Sequence, residues 1–250
     1  MSLDSLRQAL HHPDPPQLWY QIQEIVEART YVQHGVEVHE GDIVLDVGAN
    51  IGVAAAFFAE ECGAGTVHCF EPVPPIFEVL RENLRAFPAC IPHEYGLAAT
   101  GGRRKVAYYP NDWAVSGLYA DPAAEHATVR RALLNRGVPE ADADARLEGR
   151  FRIEELECEF RTMSDVLEAE SLEQVDLLKV DVEKSERDVL TGIADADWPR
   201  IRQVSAELHL HPGHENEPAE TLRKRGFDVT VVQDPTMEGT PVHMLYAVRR

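Results

Sequence analysis

The chain has 250 residues, the length of one domain or of one domain with a cap, and 44% of them are hydrophobic. It carries 43 Asp and Glu residues against 24 Lys and Arg residues, and this net charge of −19 argues against a protein that binds nucleic acid. No run approaches the roughly 20 apolar residues of a membrane span, and the four scattered cysteines are typical of reduced thiols. We therefore expect a cytoplasmic enzyme that binds neither nucleic acid nor a membrane.

The N-terminal region is predicted to contain one helix. Apolar residues recur at helical spacing in the segment LWYQIQEIVEAR, residues 18–29, after a polar stretch that ends in two consecutive prolines. The main alternation of strands and helices begins only after residue 40. We therefore predict a helical lid segment over residues 1–40 and a main domain over residues 41–250.

Strand and helix patterns alternate from residue 42 to residue 99. The predicted strands cover residues 42–47, 66–70 and 93–99, and the predicted helices cover residues 52–61 and 76–87. The strands are short and mostly apolar, which is typical of parallel strands that are buried on both faces. Alternation of this kind favours right-handed crossovers and a parallel sheet that is covered by helices.

The middle of the chain interrupts this order. A strand is predicted over residues 104–109, a loop over 113–119 and a helix over 122–136, and residues 138–159 hold eight acidic residues against three arginines. We predict that about residues 110–150 form a helical insertion that lies beside the active site as a lid. An insertion without a functional role is the alternative.

The alternation returns after residue 160, where residues 160–167 lead into two strand patterns and one helix pattern. The strand patterns cover residues 175–180 and 203–208, and the helix pattern covers residues 186–193. Two further strand patterns, at 228–233 and 243–248, are separated by a turn region rich in proline and glycine. This pair predicts an antiparallel hairpin that closes one edge of the sheet.

The most specific motif lies between the first predicted strand and the first predicted helix. The segment VLDVGANIG places Asp46 at the end of the strand and two glycines, Gly48 and Gly52, in the following turn. Glycine lets a backbone approach a ligand closely, and the start of a helix favours negatively charged groups. The dinucleotide fingerprint GxGxxG lacks its middle glycine here, which argues against a nicotinamide cofactor.

Glu71 ends the second predicted strand in the segment CFEPVPP, 19 residues after Gly52. A carboxylate at this position of an open α/β sheet can accept hydrogen bonds from both ribose hydroxyls of a nucleotide. The spacing is compatible with a dinucleotide or with another adenosine-containing cofactor. The loop and Glu71 together therefore predict that the protein binds an adenosine-containing cofactor.

Three separated segments resemble one known family. The segments DVGANIG, FEPVPPIFEVLRENL and LLKVDVEKSERDVLTG are similar, in this order and over about residues 40–210, to the FkbM-type family of S-adenosylmethionine-dependent methyltransferases. The resemblance implies an α/β, Rossmann-like class I methyltransferase fold, with a seven-stranded, mostly parallel sheet and an antiparallel C-terminal strand. It also implies S-adenosylmethionine as the cofactor. The predicted cofactor-binding residues are Asp46, Gly48, Asn50, Gly52, Glu71 and Asp181.

The same resemblance gives some of these residues a place along the cofactor. It implies that Asp46, Gly48 and Asn50 lie near the methionine and ribose parts, and that Glu71 holds the ribose hydroxyls. Many family members have glycine and alanine between the two glutamates of the third segment, whereas this chain has Lys184 followed by serine. Lys184 is therefore a candidate for contact with a substrate that only a subgroup uses.

Two pairs of polar residues lie where the acceptor chemistry is expected. Asp181 and Glu183 follow one predicted strand, Glu207 and His209 lie at the end of the next, and residues two apart in a strand share a face. His209 is the predicted general base, because an imidazole pKa of about 6.5 suits proton removal at neutral pH. Asp181 is predicted to orient the cofactor's amino group or the acceptor. Hydrogen bonding at a strand end, for His209, and helix capping, for Asp181, are the alternatives.

A run of histidines raises the question of a metal ion. The segment HLHPGH, residues 209–214, follows the strand that contains Glu207. A divalent ion could lower the pKa of an acceptor hydroxyl. However, magnesium prefers carboxylates and water to imidazoles, and the run has no second group of ligands with evident geometry. We therefore predict no metal ligand, and a divalent metal is the less favoured alternative.

Four residues are predicted to bind the acceptor. They are Tyr20 in the N-terminal helix, Trp113 and Ser116 near the insertion, and Glu183 after the strand at 175–180. Aromatic faces can line an apolar pocket or lie against a sulfonium cation. The acceptor is therefore expected to be a moderately large organic molecule.

The prediction that follows is O-methylation of a hydroxyl group on a small or mid-sized acceptor, and the family resemblance implies that this acceptor is a natural product. A small molecule is the predicted partner, and the oligomeric state, including a homodimer, stays open. N-methylation on the same scaffold is the close alternative, because a neutral amine needs no base. An NAD-dependent oxidoreductase and a non-catalytic adenosine-binding module are the alternatives from other classes.

Overall fold

Two sheets organise the computed structural model, which describes residues 9–210 and 217–249. The strands of the described residues alternate with helices for most of the chain. In chain order they are β1 (Ile43–Val47), β2 (Thr66–Phe70), β3 (Cys90–His93), β4 (Gly96–Leu97), β5 (Gly102–Tyr108), β6 (Glu154–Arg161), β7 (Leu177–Val180), β8 (Gln203–His209), β9 (Phe227–Val232) and β10 (Val242–Arg249).

Helices cover both faces of the larger sheet. In chain order they are α1 (Pro15–Gln21), α2 (Val53–Glu60), α3 (Pro74–Asn83), α4 (Pro122–Asn135), α5 (Glu140–Leu147), α6 (Met163–Ala169), α7 (Glu186–Thr191) and α8 (Glu217–Lys224). A π-helical segment, Ile22–Glu27, continues α1, and short 3₁₀ turns lie at Leu84–Ala86, Trp113–Val115, Trp198–Arg200 and Pro235–Met237. No helix in the described ranges combines the length and the apolar character that a membrane crossing requires.

The larger sheet has seven strands in the order β3-β2-β1-β7-β8-β10-β9. Its strands pair in parallel, except that β10 runs antiparallel to both β8 and β9. This is the predicted arrangement of seven mostly parallel strands with an antiparallel C-terminal strand. The predicted hairpin forms, but β10 lies inside the sheet and β9 forms the edge, because β10 pairs with β8 as well as with β9.

The central strands are buried on both faces. Val44 of β1 and Leu177 of β7 belong to the apolar cluster that includes α2 and α3, and Leu45 and Leu178 belong to the cluster that includes α6, α7 and α8. Successive side chains of a strand point to opposite faces, so each strand contributes to both clusters. This burial explains why the strands are continuous apolar runs in the sequence.

One predicted strand is wrong in part. Residues 93–99 do not form one strand, because β3 ends at His93 in the larger sheet and β4 begins at Gly96 in the smaller sheet, whose order is β4-β6-β5. Within the segment 160–167, β6 ends at Arg161. A capping box between Thr162 and Asp165 then starts α6, since the two residues satisfy each other's backbone N–H groups.

The N-terminal helix begins earlier than the pattern predicts. It starts at Pro15, inside the stretch in which no packed element is expected, and proline suits the first turn because its missing N–H has no helical acceptor there. The π-helical segment that follows buries Ile22, Ile25 and Val26 in the same apolar cluster as α2. The separation of residues 1–40 as a lid segment stays a prediction.

The insertion predicted over residues 110–150 contains α4 and α5. Asp121 caps α4 by accepting hydrogen bonds from the N–H groups of Ala123 and Ala124, both at 3.1 Å. The antiparallel pair β5–β6 joins the two ends of the insertion, with Tyr108 opposite Glu154. The two helices are therefore attached to the core through the smaller sheet.

Gly48 lies where the chain leaves β1 beside the segment that follows β7. Its φ is +79°, and a Cβ at this position would lie 1.7 Å from the carbonyl oxygen of Asp181. We expect Gly48→Ala to lower the free energy of unfolding by about 3 kcal/mol or more, because backbone must move to admit the methyl group. Urea unfolding measures this change.

Gly41→Ala is the matched control. Gly41 has a φ of +87°, but a Cβ there would meet nothing within 4 Å. Only the cost of a left-handed backbone, about 1–2 kcal/mol, is expected for this variant. Equal losses in the two variants would contradict the steric argument for Gly48.

Candidate functional site

The carboxyl ends of β1, β2, β7 and β8 border a cavity of about 480 Å³, a volume typical of sites for organic ligands. Residues of α1 and of the insertion complete its wall. The predicted acceptor residues, the predicted base and four of the predicted cofactor residues line this cavity. They are Tyr20, Trp113, Ser116, Glu183, His209, Gly48, Asn50, Glu71 and Asp181.

The loop after β1 holds the carboxylate of Glu71 in place. The N–H of Asn50 donates to Glu71 Oε2 at 3.2 Å, and the N–H of Val73 donates to Oε1 at 2.9 Å. Asn50 has a φ of 48°, a left-handed conformation that asparagine adopts more readily than most residues. Burial raises the pKa of Glu71 to about 7, although both N–H groups act in the opposite direction. The result is a fixed, poorly hydrated carboxyl group at the cavity wall.

A buried ion-pair network supports this loop. Lys179 Nζ lies 2.9 Å from Asp46 Oδ1 and donates to the carbonyl oxygen of Gly48 at 2.8 Å. The same ammonium is 3.7 Å from Oδ2 of Asp181, which accepts a hydrogen bond from the Tyr31 hydroxyl at 2.7 Å. Burial lowers the pKa of Lys179, but the two carboxylates outweigh it and raise this pKa. The network therefore holds a charged lysine between the loop and Asp181.

Two of the predicted cofactor residues do not line the cavity. Asp46 is fully buried, and its carboxylate faces Lys179. Gly52 precedes α2 with a φ of +94°, and a Cβ there would lie 2.9 Å from Cδ1 of Leu80. In the structure Asp46 makes an ion pair and Gly52 a close packing contact behind the loop, and their contact with a cofactor stays a prediction.

His209 lies among carboxylates at the ends of β7 and β8. Its Nε2 is 3.2 Å from Glu183 Oε2 and 3.9 Å from Glu207 Oε1, and its Nδ1 is 3.0 Å from Glu186 Oε1. The amide of Lys184 donates to the same Glu186 oxygen at 2.9 Å. The same N–H lies 3.3 Å from Nδ1 of His209. When Nδ1 carries a proton, it donates to the carboxylate of Glu186, which can only accept. Nε2 faces Glu183 and Glu207.

The proton balance of this cluster differs from that of a free histidine. Burial lowers the pKa of His209, but Glu183 and Glu186 outweigh it and raise the pKa well above 6.5. Burial raises the pKa of Glu183 to about 7, while the charge of His209 opposes this shift. The pair formed by His209 and Glu183 therefore holds a proton at neutral pH, and the role of His209 as a base stays a prediction.

The same cluster bears on the metal question. Among the residues that the structure describes, Glu183, Glu207 and His209 form a group that could hold a metal ion, with ligand atoms within 4.8 Å of one another. The histidine run cannot be assessed as a metal site in the same way, because His211 and His214 lie outside the described residues. The expectation of no metal ligand rests on the histidine run beside Asp181 and Glu183, for which the sequence shows no second group of ligands with evident geometry.

Lys184 connects the cluster to the insertion. Its ammonium group pairs with the carboxylate of Glu125 on α4, and both side chains are buried. Glu183 and Lys184 have φ values of 49° and 73°, in the left-handed region that favours glycine. Lys184 therefore ties the turn that carries Glu183 to α4.

The N-terminal helix and the insertion also meet each other at the cavity. The guanidinium group of Arg136 lies 4.7 Å from the ring centre of Tyr20, and the Tyr20 hydroxyl donates to Oε1 of Glu24 at 3.4 Å. Burial raises the pKa of Glu24 to about 7. The two segments that sequence predicts to be lids thus share polar contacts, since Arg136 also donates to the Tyr20 hydroxyl at 2.5 Å and Gln17 Nε2 donates to the carbonyl oxygen of Asn111 at 3.4 Å.

Among the residues of the cavity wall that sequence reasoning misses are Lys179, Glu24, Glu125 and Arg136. A signal exists for Lys179, because a lysine inside the apolar strand LLKV needs a partner for its charge. Glu125 and Arg136 look like ordinary polar residues of a solvated helix, and no local pattern separates them from their neighbours.

The ion pair between Lys184 and Glu125 can be tested by removing its charge. We expect Lys184→Met to lower the free energy of unfolding by about 3–5 kcal/mol, because it leaves a carboxylate buried without a cation. Amide hydrogen exchange in α4 is expected to accelerate as well. Urea unfolding and exchange measured by mass spectrometry report the two effects.

Lys105→Met is the matched control for Lys184→Met. Lys105 makes an exposed ion pair with Glu155 at 2.9 Å, and exposed pairs contribute little to stability. If both lysine variants lose the same small amount and α4 exchanges at its original rate, the insertion is not held by Lys184.

Comparison with known proteins assigns the chain to a family. Residues 46–229 match the model of the methyltransferase FkbM domain. Over 240 residues the chain is 40% identical to the 31-O-demethyl-FK506 methyltransferase FkbM of Streptomyces tacrolimicus. This match covers 95% of this chain and 92% of that protein. It is also 30% identical over 198 residues to the methyltransferase sdnD of Sordaria araneosa, and this match covers 75% of this chain and 74% of that protein.

A solved structure agrees with the fold. The methyltransferase FkbM of Methylobacillus flagellatus KT has a TM-score of 0.51 and 15% sequence identity, over 98% of this chain and 57% of that chain. This likeness concerns the fold alone, and it confirms the predicted α/β class I methyltransferase fold. On the match to the domain model and on the 40% identity, the chain belongs to the FkbM family of methyltransferases.

Proposed function

We propose that this protein is an S-adenosylmethionine-dependent O-methyltransferase that acts on a hydroxyl group of a small or mid-sized natural product. The observation that carries the proposal is the cluster of Glu183, Glu207 and His209 at the cavity wall. A hydroxyl group must lose its proton when it is methylated, and this cluster contains groups that bind protons near neutral pH. The site is therefore suited to an acceptor that needs help with proton removal.

The residues near the loop fit an adenosine-containing cofactor. Glu71 is a buried carboxyl group at the cavity wall, which suits a pair of ribose hydroxyls, and Gly48 leaves room where a side chain would collide with backbone. When bound, S-adenosylmethionine supplies a methyl group from its sulfonium. Asp181, held by Tyr31 and Lys179, is assigned to the amino group of the cofactor.

The other half of the cavity is assigned to the acceptor. Tyr20 and Trp113 contribute aromatic rings to its wall, and Ser116 and Glu183 contribute polar groups. Arg136 fixes the Tyr20 ring, and Lys184 fixes the turn that carries Glu183. These contacts support a site that holds the acceptor still, and proximity and orientation supply a large part of the catalysis of a displacement reaction.

The alternatives differ in how well they use this site. An N-methyltransferase needs no proton-accepting cluster for a neutral amine, so it leaves the arrangement around His209 without a function. Membership of a methyltransferase family gives an NAD-dependent oxidoreductase no support. A natural-product acceptor is supported by the 40% identical relative, whose name describes methylation of 31-O-demethyl-FK506.

Glu71 is expected to make cofactor binding depend on pH. Only the ionised carboxylate accepts two ribose hydrogen bonds, and the pKa of Glu71 is raised to about 7. The affinity for S-adenosylmethionine is therefore expected to fall by up to about tenfold for each pH unit below 7 and to level off above it. Isothermal titration calorimetry between pH 5.5 and about 8.5 covers both sides of this pKa.

The variant Glu71→Gln separates this effect from the titration of the cofactor itself. It keeps the shape of the side chain but has no proton to lose, so its affinity is expected to be lower and free of the pH step near 7. A wild-type affinity that is flat through pH 7, or a step that survives in Glu71→Gln, would remove Glu71 from the cofactor site.

His209→Gln is expected to lower kcat for methylation of a hydroxyl by about 10²- to 10⁴-fold, the usual contribution of a general base. The affinity for S-adenosylmethionine is expected to stay the same, since His209 is assigned to the acceptor half. Transfer of a radiolabelled methyl group to 31-O-demethyl-FK506 and to a panel of other hydroxyl acceptors provides the assay.

The control is His243→Gln, because His243 lies on the neighbouring strand β10 but does not line the cavity. This variant is expected to keep wild-type activity. Methylation of amines in place of hydroxyls, with no effect of His209→Gln, would favour the N-methyltransferase alternative.

A further inference from the structure

We propose that Glu183, Glu207 and His209 bind a divalent cation of the Mn²⁺ type, which holds and ionises the acceptor hydroxyl. The position of the cation follows from the structure of the cluster, whereas its chemical role rests on the proposed function. The proposal replaces the expectation from sequence that the protein has no metal ligand, and it makes His209 a ligand of the cation in place of the general base.

The spacing of the three donor groups fits one cation. Two ligands bound at about 2.1 Å and at angles between 90° and 180° lie about 3.0–4.2 Å apart. His209 Nε2 is 3.2 Å from Glu183 Oε2 and 3.9 Å from Glu207 Oε1. All three donor atoms lie within 4.8 Å of one another, so the side chains need only small movements to share an ion.

A second carboxylate prepares His209 for this role. Glu186 Oε1 lies 3.0 Å from Nδ1, and this contact places the proton on Nδ1 and directs Nε2 towards Glu183 and Glu207. Metal-binding histidines commonly donate their other ring N–H to a carboxylate, which fixes the tautomer and the ring orientation. Glu186 also accepts the N–H of Lys184 at 2.9 Å, so its own position is fixed.

The surplus of acidic groups around His209 favours the binding of a cation. Three carboxyl groups, those of Glu183, Glu186 and Glu207, surround one imidazole, so the cluster has more acidic groups than basic ones. The ammonium of Lys184, which is next in the chain, is engaged by Glu125 on α4. Excess charge of one sign in a buried site is costly, and a divalent cation would remove it.

Among the three proposed ligands, Glu207 makes the weakest polar contacts with the described residues. Within residues 9–210 and 217–249 its carboxylate accepts no hydrogen bond, and its nearest ion-pair contact is the 3.9 Å to His209. The side chain is 18% exposed and borders the cavity. A cation at this point would therefore be reached by an acceptor from the cavity.

The donor set indicates the class of cation. Carboxylates and water suit Mg²⁺ and Mn²⁺, whereas imidazole is a ligand for the transition metals. Two carboxylates with one imidazole therefore favour Mn²⁺ over Mg²⁺. The remaining coordination positions face the cavity, where water or the acceptor oxygen can occupy them.

The cation would act on the acceptor as a Lewis acid. A hydroxyl bound to it ionises more readily, and its proton passes to water. The oxygen then uses a lone pair to bond the methyl carbon, and the carbon–sulfur bond breaks with its electron pair left on sulfur. The products are the methyl ether and the neutral thioether S-adenosylhomocysteine.

The test is titration of the chelator-treated full chain with Mn²⁺, without cofactor or acceptor. Electron paramagnetic resonance measures the free ion, and pulsed spectra detect coupling to an imidazole nitrogen. We expect one saturable site in the wild type. Glu207→Gln and His209→Gln are expected to lower the affinity by about 100-fold or more, and Glu186→Gln by about 10- to 100-fold.

Glu24→Gln is the matched control, because Glu24 is another glutamate of the cavity wall outside the cluster. Its affinity for Mn²⁺ is expected to equal that of the wild type. Binding of S-adenosylhomocysteine by each variant, measured by calorimetry, shows that the variants are folded.

The outcomes separate this inference from the proposed function. No saturable Mn²⁺ site in the wild type, or equal affinity in folded Glu207→Gln and His209→Gln, would overturn the inference. Full methylation of a hydroxyl acceptor by the chelator-treated protein would overturn it too, while leaving the O-methyltransferase proposal intact. If the Mn²⁺ site is found and only amines are methylated, the cation site stands and the proposed O-methylation fails.

Discussion

One ammonium group determines the geometry of the cofactor side of this molecule. Lys179 on β7 is the register partner of Asp46 on β1, and its Nζ lies 2.9 Å from Asp46 while it donates to the carbonyl of Gly48 at 2.8 Å. A carboxylate as deeply buried as Asp46 needs a cation beside it, so the pairing of the two strands and the path of the loop depend on the same charge. Because this ammonium also lies 3.7 Å from Asp181, it sets the position of a carboxylate that faces the cavity.

The sheet was largely predictable because the information for each central strand is local. β1, β2 and β7 are short apolar runs, and burial on both faces is what such runs require. Residues 93–99 were not predictable in this way. A Cβ at Gly96 would lie 2.5 Å from the ring of Phe160, so the course of β4 is decided by a strand that comes much later in the chain.

The candidate site likewise has one part that local sequence predicts and another part that depends on contacts between distant segments. The loop and Glu71 form a local motif, and sequence alone places Glu71 and Asn50 in the group that lines the cavity. The direction of each side chain is a matter of tertiary contacts, which is why Asp46 faces a lysine and not the cavity. The contact of Lys184 with Glu125 joins two segments that carry no common pattern. Such contacts depend on how the insertion packs against the rest of the molecule. The spacing of residue types in the sequence does not predict that packing.

The position of β10 also bears on how the chain is synthesised. Every sheet pairing of β8 on its side away from β7, and every sheet pairing of β9 in the described residues, is made to β10, which ends at Arg249. While the ribosome still holds this segment, β8 has an open edge next to Glu207 and His209. Unpaired edges of this kind readily bind other strands, so β8 is open to pairing with other chains until β10 has been synthesised and has folded against it. A chain that lacks β10 is therefore expected to aggregate, because the edge of β8 stays open.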